Sequence, residues 1–322
     1  MIRRAACALF AAAAWPAAAQ PVMHLPVDCA LGETCFIQNY PDHDPGPGFS
    51  DFTCGPLGYD GHDGTDFALL SLAAMQAGVA VLAPADGVVT GTRDGMQDIA
   101  VNDPAAPPLD GRDCGNGLAI DHGGGWVSQL CHLAQGSVTV RTGDRVTAGQ
   151  PVGRVGLSGR TEFPHVHLSL RQGDRKVDPF APDPAAACGG PAQPGLWAAP
   201  IAYAPGGLVG AGITDHAPDY AAIQSAPPAT TPLPRSAPAL VAWALLYGTR
   251  SGDRLAMRLT GPDGTVAEDS STVERTQARS YRYIGRRAPP GGWPAGDYRA
   301  SLTLTRGGTV IARHEARVTV GP

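Results

Sequence analysis

Glu162-Phe163-Pro164-His165-Val166-His167-Leu168-Ser169-Leu170 alternates histidine with apolar residues directly after a proline. Strand side chains alternate between faces, so the stretch reads as a strand with His165 and His167 on one side, interleaved with Val166, Leu168 and Leu170. Two imidazoles on one strand face are the start of a metal site. The remaining donors stand upstream, in Gly61-His62-Asp63-Gly64-Thr65-Asp66. Zinc accepts imidazole nitrogen and carboxylate oxygen, and a catalytic site keeps one position open. His62-x-x-x-Asp66 offers one donor of each kind, with Gly64 predicting a bend between them rather than a helix. His167 is the third donor, and His165 lies two residues away on the same face. His132, in Leu130-Cys131-His132-Leu133, is a fifth candidate. Taken singly, each of these residues is as easily a hydrogen-bonded structural histidine or an accidental spacing; only the set points to a metal.

Outward from these motifs, strand signals dominate. Asp66-Phe67-Ala68-Leu69 follows the first motif. Val79 to Val89 gives two short strands around Pro84-Ala85-Asp86-Gly87. Residues 94 to 113 are rich in Asp, Pro and Gly and read as a surface loop. Gly117 to His122 and Trp126 to Cys131 read as a hairpin across Gly123-Gly124-Gly125. Between Val138 and Gly159, valines alternate with turn glycines, the pattern of short strands tightly wound in a sandwich or barrel. Lipoyl and biotinyl carriers share that rhythm but need an acceptor lysine at a hairpin tip. The only lysine in the chain is Lys176, so the carrier reading falls.

After Val177-Asp178-Pro179-Phe180 the composition shifts, and residues 181 to 195 read as an Ala/Pro/Gly-rich linker. A second β region follows. Ala239 to Tyr247 is a buried strand candidate. Leu255 to Thr260 turns through Gly261-Pro262-Asp263-Gly264 into Thr265-Val266-Ala267. Tyr298 to Leu304 alternates, turns at Arg306-Gly307-Gly308-Thr309 and returns. Either Ile201-Ala202-Tyr203 or Leu208-Val209-Gly210 supplies the first strand. Four or more such strands fit an immunoglobulin-like sandwich.

The chain has 322 residues, enough for a core and an appendage. Met1-Ile2-Arg3-Arg4, the apolar run to Ala14 and the small residues up to Ala19 have the features of a secretory signal peptide, too short to span a membrane. A lipoprotein reading of Cys7 lacks an apolar run before it. The six other cysteines form an even set, which in an exported chain reads as three disulfides. Cys29–Cys35 closes a short loop, Cys114–Cys131 ties the ends of the hairpin, and Cys54–Cys188 is left by elimination. Net charge is −5 with no basic run, which argues against nucleic acid or an anionic membrane as partner. With 42 glycines, 31 prolines and 6% aromatics, the composition suits short strands and tight turns. His24, His43, His122, His216 and His314 have no chemical company in the sequence and read as surface or loop residues.

The order His-x-x-x-Asp, a mid-chain His-Leu and a late His-x-His, inside a Gly/Val-rich β region, resembles the lysostaphin-type (LytM-like) zinc metalloendopeptidases. These cut peptide cross-links of bacterial peptidoglycan. The resemblance covers about residues 55 to 182, including Ser158-Gly159 and Val177-Asp178-Pro179. It implies a LytM-like β-sandwich/barrel-sandwich hybrid at 57–188; the residue pattern elsewhere makes the chain all-β, with an irregular disulfide-tied segment at 20–56 before that domain. A linker at 189–195 would lead to an immunoglobulin-like β-sandwich at 196–322. It implies Zn2+ held by His62, Asp66 and His167, with His132 and His165 as a catalytic pair whose individual roles stay open. An acidic base of the His-Glu-x-x-His type is absent, and Glu162 is a neighbour only. Cys131 stands where the family often has a small residue. The implied activity is hydrolysis of peptidoglycan peptide stems by a zinc-activated water, in the periplasm or outside the cell. The alternative is a non-catalytic relative that binds peptidoglycan or activates amidases. The C-terminal sandwich is expected to bind the wall or a protein partner.

Overall fold

The computed structural model describes residues 20–185, 194–228 and 230–321. The signal-peptide stretch and Cys188 lie outside the described residues. The first region contains strands β1 (Cys35–Asn39), β2 (Thr65–Leu69), β3 (Ala80–Leu82), β4 (Gly87–Arg93), β5 (Asn116–Gly123), β6 (Trp126–Leu133), β7 (Arg145–Val146), β8 (Pro151–Arg154), β9 (His165–Gln172) and β10 (Arg175–Lys176), with helix α1 (Leu72–Gln76) after β2. Eight of these strands form one sheet in the order β1-β2-β9-β6-β5-β4-β7, with β10 on β9; β3 and β8 pair separately.

The alternation in β9 is realised. Val166, Leu168 and Leu170 enter a core with Phe67, Leu69, Leu118, Ile120, Leu130 and Trp126. The pleat therefore turns His165 and His167 to the opposite face. β2 runs antiparallel to β9 with Asp66 opposite His167, and β6 brings Cys131 opposite His167 from the other side. The β5–β6 hairpin turns through Gly123, Gly124 and Gly125, all at positive φ, a region only glycine enters freely. Its open end is tied by the expected Cys114–Cys131 disulfide, and Cys29–Cys35 is also present. Cys54 is disulfide-bonded as well.

The second region holds β11 (Gly207–Thr214), helix α2 (Tyr220–Ser225), β12 (Leu233–Pro234), β13 (Ala239–Thr249), β14 (Arg254–Gly261), β15 (Gly264–Thr272), β16 (Gln277–Arg287), β17 (Gly296–Arg306) and β18 (Thr309–Gly321). A three-stranded sheet, β11-β13-β16, faces a five-stranded sheet, β12-β18-β17-β14-β15, a sandwich consistent with the immunoglobulin-like expectation. The inner face of β13 (Leu240, Ala242, Ala244, Leu246) joins the sandwich core with Leu255, Met257, Leu302 and Leu304. Its outer face (Trp243, Leu245, Tyr247) packs on Phe36 of β1 and Ala68 of β2. Being covered on both faces, β13 reads as a continuous apolar run rather than an alternating one.

Three features differ from the sequence reading. Segment 20–56 is not irregular throughout: Cys35–Asn39 is a fully buried edge strand of the main sheet, too short to show a period. Residues 196–203 belong with the first region rather than the second. Leu196 is buried in the first core, Trp197 and Tyr203 pack against it, and Tyr203 Oη donates to Asp51 Oδ2 at 2.7 Å. The sandwich accordingly begins at β11, the second of the two first-strand options. Strand β16 carries Arg279, Tyr281 and Tyr283 where aliphatic residues would have announced a strand.

Candidate metal centre

Three donor atoms converge on the face of the main sheet opposite its apolar core. His62 Nε2 lies 3.2 Å from Asp66 Oδ1 and 3.2 Å from His167 Nδ1, and the latter two are 2.8 Å apart. Ligand bonds of about 2.05 Å at tetrahedral angles put neighbouring donors about 3.3 Å apart, so these separations fit a zinc-sized ion. Among the described residues, this is the group of His, Cys, Asp and Glu able to share one ion.

Each donor is aimed by a second bond from its far side. His62 Nδ1 donates to the Tyr40 carbonyl at 2.8 Å, which leaves Nε2 with its lone pair. Asn39 Nδ2 donates to Asp66 Oδ2 at 2.7 Å, leaving Oδ1 for the centre. His167 Nε2 is 3.3 Å from Asp63 Oδ1, and Asp63 Oδ2 is 3.2 Å from Lys176 Nζ. Such outer bonds fix tautomer and direction and raise donor basicity. Gly64 is required by closeness: a Cβ there would lie 2.5 Å from His167 Nε2 and 2.6 Å from the Leu168 carbonyl.

His165 and His132 stand beside this group, ring centroids 4.7 Å apart. His165 Nε2 is 3.3 Å from Asp66 Oδ1, while its Nδ1 faces the Phe163 carbonyl at 3.0 Å and Thr161 Oγ1 at 3.1 Å. His132 Nδ1 donates to the Ser158 carbonyl at 2.8 Å. His132 sits at φ +65°, in the left-handed region that costs a non-glycine residue about 1 kcal/mol or more. The turn is held by bonds on both sides, His132 N–H to the Cys114 carbonyl at 2.8 Å and Gly156 N–H to the His132 carbonyl at 3.0 Å. The adjacent Cys114–Cys131 disulfide braces the same point.

The charges follow from burial and neighbours. Burial pushes the Asp66 carboxyl up, but the neighbouring imidazoles of His165 and His62 outweigh it and hold the group well below the usual carboxylate range. Burial and then the neighbouring His165 and His167 rings push His132 well below an ordinary histidine, so it is neutral at pH 7. Burial also disfavours charge on His167, yet its bonds to Asp63 and Asp66 prevail and hold it up at about 9 without metal. Asp63 is held far below its ordinary value, chiefly by the His167 bond and against burial.

All five expected residues thus meet on one face. Of the histidines read as surface residues, His43 differs: its Nε2 is 2.8 Å from the buried Asp178 Oδ2. His122 is half-buried, bonded to the Asp86 carbonyl and Ser128 Oγ, both at 2.8 Å. Glu162 makes no contact with the centre. Asn39, Tyr40 and Thr161 carried no sequence signal, because they act through fold-dependent contacts; Ser158 stood in the resemblance without a role, and Asp63 and Lys176 sat next to motifs without a pattern of their own.

Residues 60–179 match the model of peptidase family M23. The chain is 34% identical over 117 residues to the peptidoglycan DD-endopeptidase ShyA of Vibrio cholerae. The match covers 36% of this chain and only 22% of that relative. Among solved structures, the chain is similar to a zinc containing peptidase from Vibrio cholerae (24% identity, 49% of this chain and 39% of that one, TM-score 0.33). It is also similar to the catalytic domain of lysostaphin from Staphylococcus simulans (21% identity, 44% and 85%, TM-score 0.28).

Proposed function

We propose that this protein is an exported zinc metalloendopeptidase that hydrolyses peptide cross-links of peptidoglycan. The observation that carries the reading is the donor triangle of His62, Asp66 and His167, complete, aimed from behind and flanked by two further imidazoles. The match of residues 60–179 to the family M23 model and the likeness to ShyA support the substrate class. Held by these three side chains, zinc would supply a Lewis acid for the scissile carbonyl and bring the pKa of water to about 7.

The protein's own groups do the rest. Hydrolysis adds water to the amide carbonyl, breaks the C–N bond and delivers a proton to the leaving amine. Neutral His132, its Nδ1–H fixed on the Ser158 carbonyl, presents a free Nε2 lone pair to accept or hold that proton. His165 presents Nε2 from the adjoining strand and bears on the developing oxyanion or on the same proton. The disulfides fit an oxidising compartment, periplasmic or extracellular. No helix among the described residues is long and apolar enough to cross a membrane. In this reading the C-terminal sandwich serves as a wall of the first domain, because its outer sheet face already packs there.

Purified full-length protein should hold about one zinc per chain and release muropeptide fragments from sacculi, with activity lost on chelation or in His167→Ala. A metal-free protein that binds sacculi without cutting them would overturn the catalytic reading in favour of a binding or amidase-activating role.

A further inference from the structure

The C-terminal sandwich places one charged side chain against the site. Arg279 lies on β16, opposite Tyr247 of β13, on the sheet that packs over β1 and β2. Its guanidinium carbon is 4.6 Å from the Phe163 ring centroid and 5.5 Å from that of Phe36. Its Nε donates to Gln38 Oε1 of β1 at 3.0 Å. Its Nη2 is shut off from solvent and has no hydrogen-bond partner. Among the described residues no carboxylate pairs with it. Burial lowers the guanidinium to about 10, so it stays charged at neutral pH.

A half-buried cation without a counter-ion bears part of the several kcal/mol that full burial of an ion costs in general. Two aromatic faces offset part of that, at about 0.5–2 kcal/mol each. One of those rings leads to the chemistry. Phe163 stacks on His165 with centroids 4.6 Å apart and planes 28° apart, and its carbonyl faces His165 Nδ1 at 3.0 Å. Thr161 Oγ1 also donates to that carbonyl, at 2.7 Å. The guanidinium therefore grips the ring that orients one of the two imidazoles flanking the donor triangle.

We propose that Arg279 is a positioning residue: clamped between the two domains by Gln38, Phe36 and Phe163, it holds Phe163 against His165, so the site of the first domain is completed by the second. The catalytic consequence rests on the function proposed above; the structural one does not. The reading explains why the sandwich is docked beside the centre rather than tethered at a distance.

The test uses the full-length, zinc-loaded protein and three variants. In Arg279→Met, which keeps the apolar stem and removes the charge, kcat on a soluble cross-linked muropeptide falls about tenfold, with KM within twofold and zinc content unchanged. Arg279→Lys, which restores a cation to the rings, recovers kcat to within about threefold. Phe163→Leu reproduces the Arg279→Met loss, and the double variant loses no more than either single one. Independently of activity, the His165 ring-proton NMR signals, shifted upfield by the stacked Phe163, move downfield in Arg279→Met. Full kcat with unmoved His165 signals in a folded Arg279→Met protein would overturn the proposal, as would losses that multiply in the double variant. If the wild-type protein cuts no muropeptide, the proposed function fails and the NMR shift alone decides the positioning role. Should Arg279→Met not fold, Phe163→Leu decides: a tenfold kcat loss at constant KM supports the clamp, and wild-type kcat refutes it.

Discussion

Asp63 holds the outer nitrogen of His167, and Asp63→Asn tests what that hold does. Metal binds the neutral ring, so the proton on His167 must leave first. With the ring held at about 9 in the metal-free protein, affinity at pH 7 is reduced about 100-fold from its high-pH limit, or about 2.7 kcal/mol. The sign is fixed: affinity rises with pH from 7 to 9 and levels above that. Removing the Asp63 carboxylate acts in two opposed ways. The ring loses a basic partner, which costs 10–100-fold in intrinsic affinity for such outer contacts, at the lower end here because the Asp63 side chain is 44% exposed. The same change lets the His167 pKa fall, which relieves proton competition near neutrality. The variant should therefore bind zinc about tenfold more weakly at pH 9 but approach wild type at pH 7. Competition against a chelator of known affinity on metal-stripped protein, from pH 6.5 to 9.5, reads both curves. A wild-type affinity flat over that range, or a constant ratio between the two proteins, would refute the reasoning.

Other outcomes follow from the same structure. Gly64→Ala forces a methyl into the His167 ring, so zinc retained after desalting should drop at least tenfold; full retention measured by atomic emission would contradict the packing. Asp178 raises the pKa of His43 by its hydrogen bond, against burial, so this pair stabilises the fold below pH 6.5 and loses its effect as pH rises through the raised value. His43→Asn should thus cost about 1 kcal/mol more at pH 5.5 than at pH 8.5 in urea melts, and equal costs at both would count against it. Asp253, buried, takes two bonds from Arg306 at 2.8 and 2.7 Å, so Asp253→Ala should cost the sandwich about 3–5 kcal/mol; a loss below 1 in the same assay would rule out a structural role for the pair. His132→Gly should be about 1 kcal/mol more stable than His132→Ala because glycine accepts φ +65°, although neither should turn over substrate; equal melting temperatures would show the turn to be unstrained.

The centre was legible in the sequence because its donors lie in two short motifs whose geometry is local. A period of two puts His165 and His167 on one face whatever the rest of the chain does, and β2 then needs only antiparallel pairing to bring Asp66 opposite. The hairpin disulfide was legible for the same reason, since one turn sets its register. What stayed hidden depends on contacts between distant segments. Asn39 and Tyr40 reach the centre only because Cys35–Asn39 pairs at the sheet edge, and five buried residues leave no periodic trace. Strand β16 was masked by chemistry: its outward side chains are Arg279 and Tyr281, placed to meet another domain, so they do not resemble a strand with one face in water. Residues 196–203 looked like the start of the next domain because the Ala/Pro/Gly-rich stretch precedes them, yet Leu196 and Tyr203 find their partners behind it.

The double coverage of β13 has a practical corollary for anyone trimming the chain. A fragment that stops before residue 207 would expose Phe36 and Ala68 to water, and the complementary fragment would expose Trp243, Leu245 and Tyr247. Each half would then carry a sticky aromatic patch of the sort that drives precipitation and self-association. Insolubility of such a fragment would report the missing lid, and should not be mistaken for a lost catalytic group.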